Sequence, residues 1–190
     1  MARWLICIVA MLMAGPVAAA DVTALPVVEA GLFRARTTGQ ISSPQAVDER
    51  TELLDDVVFY SLTSKVPARL GIRFGTRFRV VGTPANQTVT LRSVWRIPEP
   101  GILKPETGTL YRRSIADTAA TIGALGMRGY TFDAPWEIRC GEWIQEVWFG
   151  ERKLLSRTFT VEGCEGRPIS AREPHRCAAN PGDAATCRAG

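Results

Sequence analysis

Apolar and polar residues alternate with a period of two along several segments of the chain. Residues 70–81 place mostly apolar side chains at every second position, with several arginines between them, and residues 89–97 repeat the pattern. This alternation is typical of strands in which one face packs and the other meets water. Because a short turn-forming segment, 82–86, separates the two, we expect them to pair as an antiparallel hairpin.

Further strands are predicted where β-branched and aromatic residues are enriched. They lie at residues 30–37, 53–62 and 110–118. Polar or proline-rich loops are expected at 42–50 and 98–105, since proline cannot donate to a β-ladder. The alanine- and glycine-containing run 119–125 is expected to form a turn or a single helical turn.

A second hairpin is predicted between two cysteines, Cys140 and Cys164. Its loop is expected at residues 150–152, and its register brings Cys140 opposite Glu162 and close to Cys164. The apolar residues that share its inner face are Trp143, Val147, Phe149, Leu155, Phe159 and Val161.

The strand pattern predicts an all-β fold, an antiparallel immunoglobulin-like β-sandwich of about seven strands. Turn signals separate the strands and no long amphipathic helix interrupts them. Residues 141–147 also fit the glycine–aromatic corner that often begins the penultimate strand of such sandwiches.

The first twenty residues have the composition of an export signal. Arg3 precedes an apolar run, and small residues end at Ala20, where we expect cleavage. The domain organisation predicted is therefore a signal peptide at 1–20, a sandwich domain at 21–165 and a flexible tail at 166–190, in a periplasmic or secreted protein without a membrane span. Lipidation of Cys7 is disfavoured, because almost no hydrophobic segment would precede it and most of the apolar run would follow it.

Four cysteines remain after signal removal, and an oxidising compartment favours disulfides over metal ligation. Three pairings are open. The hairpin register favours Cys140 with Cys164, and sequence proximity favours Cys177 with Cys187. Since the chain has one histidine and no Cys-x-x-Cys, we expect no metal or other cofactor.

Two long segments resemble the domain-of-unknown-function family 3859: VPARLGIRFGTRFRVVG at 66–82 and YTFDAPWEIRCGEWIQEVWFGERKLLSRTFTV at 130–161. The shared pattern covers roughly residues 31–161. The resemblance implies an exported β-rich domain of bacterial type and brings no activity, catalytic residue or ligand. Gln145 departs from it, standing at a core position where an aromatic is expected.

The charge balance disfavours nucleic acid as a partner. Without Arg3 the chain has 22 basic and 19 acidic side chains, well short of a dedicated nucleic-acid binder. Five arginines of the predicted first hairpin would nevertheless project from one sheet face, as a candidate surface for an envelope protein or a polyanion. The alternative is an ordinary solvated face. These residues are Arg73, Arg77, Arg79, Arg92 and Arg96.

No nucleophile elbow, phosphate-binding glycine loop or zinc-protease motif is present, so we expect no catalytic residue and no enzyme. The leading hypothesis is a monomeric, exported binding or accessory module of unidentified ligand. The alternative is a carboxylate-based hydrolase of an envelope polysaccharide, which needs two acidic groups in one cleft. A structural role without a ligand is a third. The acids considered are Glu49, Glu52, Asp55, Asp56, Asp133 and Glu137.

Overall fold

Two β-sheets pack face to face in a computed structural model that describes residues 19–164. The strands in chain order are β1 (Asp21–Ala24), β2 (Val27–Ser42), β3 (Arg50–Ser61), β4 (Lys65–Pro67), β5 (Arg73–Arg79), β6 (Val81–Thr83), β7 (Thr88–Arg96), β8 (Ile102–Leu103), β9 (Leu110–Tyr111), β10 (Arg113–Thr121), β11 (Leu125–Thr131), β12 (Gly141–Phe149) and β13 (Arg152–Glu162). A 3-10 turn at Pro135–Glu137 is the one helical element of the described residues. The expected signal cleavage and the expected Cys177–Cys187 pair depend on residues outside this range.

The larger sheet has the strand order β10-β7-β12-β13-β4, and the smaller sheet has the order β11-β5-β2-β3. All pairs in them are antiparallel except the short parallel contact between β4 and β13. Two-stranded ribbons, β1 with β6 and β8 with β9, complete the described part of the chain. The predicted antiparallel sandwich is confirmed, and its main sheets contain nine strands where about seven were expected.

Aromatic side chains from both sheets fill the centre of the sandwich. The Phe74 ring of the smaller sheet meets the Trp95 ring of the larger sheet edge to face, with centroids 5.2 Å apart. Tyr130 and Trp143 approach to 4.9 Å across the same interface. Such pairs contribute roughly 0.5–1.5 kcal/mol each beyond the area that they bury. A second, smaller apolar cluster lies around Phe78, Leu91 and Val147.

The predicted pairing of residues 70–81 with 89–97 is wrong. Strand β5 pairs with β2 and β11, whereas β7 pairs with β10 and β12, so the two lie in opposite sheets. Between them the chain leaves the smaller sheet at β6, which pairs with β1. A period of two fixes which face of a strand is buried, but it does not fix which strand lies beside it.

Strands β8 and β11 were not predicted, and the strand predicted at 110–118 divides into β9 and the first part of β10. The glycines of β11 look like turn residues in the sequence, yet two of them are needed for close packing. A Cβ at Gly126 would stand 2.5 Å from the Phe78 ring, and a Cβ at Gly129 would stand 2.7 Å from the Phe33 ring. The same region shows that residues 119–121 continue β10 and that only the turn 122–124 precedes β11.

The cysteine-bracketed hairpin is confirmed. Gly141 lies opposite Val161, and Cys140 and Cys164 form a disulfide with their Cα atoms 6.0 Å apart. The loop is shorter than predicted, because Phe149 already pairs with Arg152. This disulfide joins the chain just before β12 to the chain just after β13, at the open end of the hairpin.

Candidate functional site

The five arginines predicted to share one face do not do so. Arg73, Arg77 and Arg79 lie on β5 in the smaller sheet, whereas Arg92 and Arg96 lie on β7 in the larger sheet. Because these strands belong to opposite layers, their outer faces point in opposite directions. The prediction of a single arginine face is wrong, for the same reason that the hairpin prediction is wrong.

Four of these arginines are also paired with carboxylates. The ion pairs are Arg73–Glu52 at 3.2 Å, Arg77–Glu29 at 2.5 Å, Arg92–Asp117 at 2.9 Å and Arg96–Glu146 at 3.0 Å. The fifth, Arg79, donates to the main-chain oxygen of Gly123 at 3.1 Å. Their positive charge is therefore largely compensated locally, as on an ordinary strand surface. Binding of a polyanion or an envelope protein by these residues stays a prediction.

A cleft of about 610 Å³ opens where the two sheets separate. Strands β10 and β11 are joined by the turn 122–124 but belong to different sheets, so they diverge from it and leave a gap between their edges. The inward residues of β10 are small and cannot fill this gap. They are Ser114, Ala116, Thr118 and Ala120.

The long hairpin of β2 and β3 forms a further wall of the cleft. Beyond Leu32 strand β2 no longer pairs with β5, and three register shifts along its pairing with β3 bend the hairpin out of the sheet. Its loop then docks on β10 of the opposite sheet. There the Ile115 main-chain N–H donates to the Gln45 oxygen at 3.0 Å, and the Val47 N–H donates to the Ser114 hydroxyl at 3.2 Å.

Two arginines line the cleft, Arg50 at the start of β3 and Arg128 on β11, and the one without a nearby carboxylate is Arg128. Its guanidinium donates to two main-chain oxygens, that of Met127 at 2.6 Å and that of Thr118 at 3.5 Å, and lies 6.0 Å from the centre of the Phe78 ring. No carboxylate of the described residues forms an ion pair with it. Burial lowers the pKa of Arg128 to about 10, which leaves the side chain charged at neutral pH.

Two polar atoms beside this arginine are buried without a hydrogen-bond partner among the described residues. One is Nε of Arg128 itself, and the other is the hydroxyl oxygen of Thr118 on the facing strand. An unpaired buried polar atom costs about 1–3 kcal/mol, so its presence in a native fold calls for an explanation. Both atoms belong to residues that line the cleft.

The other end of the cleft is acidic. Asp48, Glu52 and Asp133 line it, and burial raises the pKa of Asp48 and of Asp133 above the usual carboxyl range. Glu137 is fully buried behind them, where its Oε2 accepts from the Tyr130 hydroxyl at 3.2 Å. Burial, with the nearby charges of Asp48 and Asp133, raises the pKa of Glu137 to about 7.

The other acids considered from the sequence lie elsewhere. Asp55 and Asp56 both pair with Arg36 on an exposed surface, and Glu49 pairs with Lys104 at 3.3 Å. Residues 19–164 contain no cluster of three or more His, Cys, Asp or Glu side chains arranged to hold a metal ion.

Sequence reasoning missed both Arg128 and Asp48. Arg128 lies between Gly126 and Gly129, which indicate a turn in the sequence. Asp48 falls in a predicted loop. The small residues at alternate positions of β10 were the available signal, because a strand with an inward face of Ser, Ala and Thr cannot close a core.

Comparisons with known proteins agree with the fold. A family model described as a domain of unknown function (DUF3859) matches residues 22–161. The chain is similar to an immunoglobulin-like protein of Pseudomonas aeruginosa, with a TM-score of 0.53 and 23% identity over 78% of this chain and 100% of that one. The sandwich is therefore immunoglobulin-like, as predicted.

A second solved structure is much less similar. An alkylpurine DNA glycosylase of Pseudomonas fluorescens, bound to DNA with an abasic site analog, matches with a TM-score of 0.33 and 14% identity over 53% of this chain and 28% of that one. This likeness is too low to support an inference. No curated protein matches the sequence. In the described residues no helix is long and apolar enough to cross a membrane.

Proposed function

The chain belongs to the domain-of-unknown-function family 3859, and from this membership and the geometry of the cleft we propose that it is an exported, non-enzymatic binding or accessory module whose ligand occupies the cleft. The observation that carries the proposal is Arg128, a buried guanidinium without an ion-pair partner among the described residues. A charge in such a place is costly unless a partner arrives. The volume of about 610 Å³ also lies within the range of small-molecule sites.

Export is supported by the disulfide and by the composition of the first twenty residues. Cys140 and Cys164 are bonded, and disulfides persist mainly in oxidising compartments. N-terminal sequencing of the protein recovered from an envelope or culture fraction tests this part. We expect the recovered chain to begin near Asp21, and an uncleaved chain in the cytosolic fraction would contradict export.

Binding in the cleft is tested by filling it. Ala116 faces inward on β10, and Ala116→Trp would occupy the space between the sheets. Thr90→Trp, on the exposed face of the neighbouring strand β7, is the matched control. After incubation with an envelope extract, native mass spectrometry should show small molecules on the native chain and on Thr90→Trp but not on Ala116→Trp. Equal occupancy of all three proteins, or of none, would contradict the proposal.

A carboxylate-based hydrolase is the second candidate, because Asp48, Glu52 and Asp133 line one cleft. The raised pKa of Asp48 and of Asp133 gives the two groups the properties of a proton donor. Release of reducing ends from envelope polysaccharide, abolished by Asp133→Asn and by Asp48→Asn, would support it. Absence of release by the native protein would reject it without affecting the binding proposal.

A further inference from the structure

We propose that the ligand of this cleft is a monoanionic amphiphile, a carboxylate whose head group meets Arg128 and Thr118 and whose apolar tail lies along the aromatic floor. This inference rests on the proposed function, since it names the chemical class that the cleft accepts.

At the head-group site there are more hydrogen-bond donors than acceptors among the described residues. A guanidinium carries five N–H donors, and that of Arg128 donates to only two main-chain oxygens among the described residues. Its Nε has no partner, and the hydroxyl of Thr118 is equally unpaired. A carboxylate supplies the acceptors that both groups lack, and its negative charge compensates the buried arginine.

Apolar side chains continue the site away from Arg128. The cleft is lined by Met127 on the same strand, by Phe33, which packs on Phe59, and by Trp95 and Tyr130 of the core between the sheets. Trp95 and Tyr130 are buried, so they form an aromatic floor of the cleft. A hydrocarbon or aromatic tail on this floor would gain roughly 25 cal/mol for each Å² that it removes from water.

The acidic end of the cleft limits the charge of the ligand and sets its orientation. Asp133 follows Arg128 by five positions, roughly 16 Å along an extended chain. Asp48 and Glu52 stand on the same acidic side, where the three carboxylates outnumber the nearby Arg50 and Arg73, so a second negative charge would be repelled there. One arginine and one hydroxyl suit a single carboxylate, with its head at Arg128 and its tail toward the acids. A phosphate dianion would need a further cation at this place, and the second arginine of the cleft, Arg50, lies beside Asp48 and Asp133 instead.

Isothermal titration calorimetry with three ligands of equal chain length tests the class. Decanoate carries the carboxylate, decanol removes the charge, and decyl phosphate replaces the head with a dianion. The protein variants are Arg128→Met, which removes the charge at similar length, and Thr118→Val, which removes the hydroxyl at similar shape. Arg79→Met is the matched control, because Arg79 lies on the adjacent strand β5, is exposed and does not line the cleft.

We expect decanoate to bind the native chain and Arg79→Met equally, and at least roughly tenfold more tightly than decanol, because a charge-assisted hydrogen bond contributes that much. Arg128→Met should reduce decanoate affinity by a similar factor and leave decanol binding unchanged. Thr118→Val should have a smaller effect of the same kind.

The possible negative results distinguish an error in the ligand class from an error in the proposed binding function. If decanol and decanoate bind the native chain equally, the site recognises only the apolar tail, and the proposal that the ligand is a carboxylate is wrong. If decyl phosphate binds more tightly than decanoate, the proposal that the ligand carries a single negative charge is wrong. Absence of binding by all three ligands, together with small molecules recovered on the native chain by mass spectrometry, would overturn this class alone. If Arg128→Met does not fold, the comparison of the three ligands on the native chain still decides.

Discussion

The side-chain amide of Gln145 on β12 donates a hydrogen bond of 2.8 Å to the main-chain oxygen of Arg128 on β11. The same amide accepts from the Thr76 hydroxyl at 2.6 Å, so one buried polar residue joins the larger sheet to the smaller sheet. This hydrogen bond also holds strand β11 in position, and β11 carries the Arg128 side chain that lines the cleft. A polar residue at a core position is thereby explained by what it holds in place.

Replacing this amide is expected to destabilise the fold. Gln145→Leu leaves the Thr76 hydroxyl and the Arg128 main-chain oxygen without their partner, so the free energy of unfolding should fall by about 1–3 kcal/mol. Urea denaturation measures it. The exposed strand residue Gln40 provides the control, since Gln40→Leu should change stability by less than about 0.5 kcal/mol. Equal losses in both variants would show that the bridge contributes little.

The Cys140–Cys164 disulfide is expected to stabilise the domain through the unfolded chain. It closes a loop with a sequence separation of 24, and a loop of this size corresponds to roughly 3 kcal/mol. The double variant Cys140→Ser with Cys164→Ser should lose about this much in urea denaturation. A reducing agent should lower the stability of the native chain by a similar amount and leave the double variant unchanged. A native chain insensitive to reduction would contradict this account.

Glu137 is expected to make stability depend on pH. Because burial raises its pKa from 4.5 to about 7, the folded protein holds a proton that the unfolded chain has released between these values. Its contribution is therefore full below pH 4.5, declines as pH rises toward 7, and then stays constant. Each pKa unit corresponds to about 1.4 kcal/mol, so the decline should total roughly 3 kcal/mol.

The substitution Glu137→Gln isolates this effect, because the amide cannot ionise. We expect the variant to gain stability relative to the native chain as the pH of the denaturation experiment is raised from acid to neutral conditions. The exposed Glu142→Gln on β12 is the matched control and should differ from the native chain by a constant amount. A constant difference for Glu137→Gln as well would show that this carboxyl ionises without penalty in the fold.

Local features of the fold could be predicted from the sequence, whereas features that depend on distant strands could not. The register of β12 and β13 follows from a short loop and from alternating apolar residues, and it placed Cys140 beside Cys164 correctly. The partners of β5 and β7 could not be obtained in this way. Phe74 and Trp95 face the same core from opposite sheets, and a pattern of buried faces is satisfied by either arrangement.

The cleft was unpredictable for a related reason. It exists because β10 and β11 diverge into different sheets and because the β2–β3 hairpin bends across them, which is information held by three separate parts of the chain. The sequence around Arg128 contains glycines at 126 and 129, which indicate a turn until Phe78 and Phe33 are seen to pack against them. The acid candidates included Glu52 and Asp133, yet their approach to Asp48 depends on the same folding of the hairpin.

The most direct test of the cleft as the site of a monoanionic amphiphile is a titration of the isotopically labelled protein with decanoate, followed by amide chemical shifts in NMR spectra. We expect shifts concentrated at Thr118, Ala116 and Arg128, which line the cleft, and little change at Arg92 on the outer face of the larger sheet. Shifts centred on Arg92 and its outer-face neighbours, or an unchanged spectrum throughout the titration, would contradict the account.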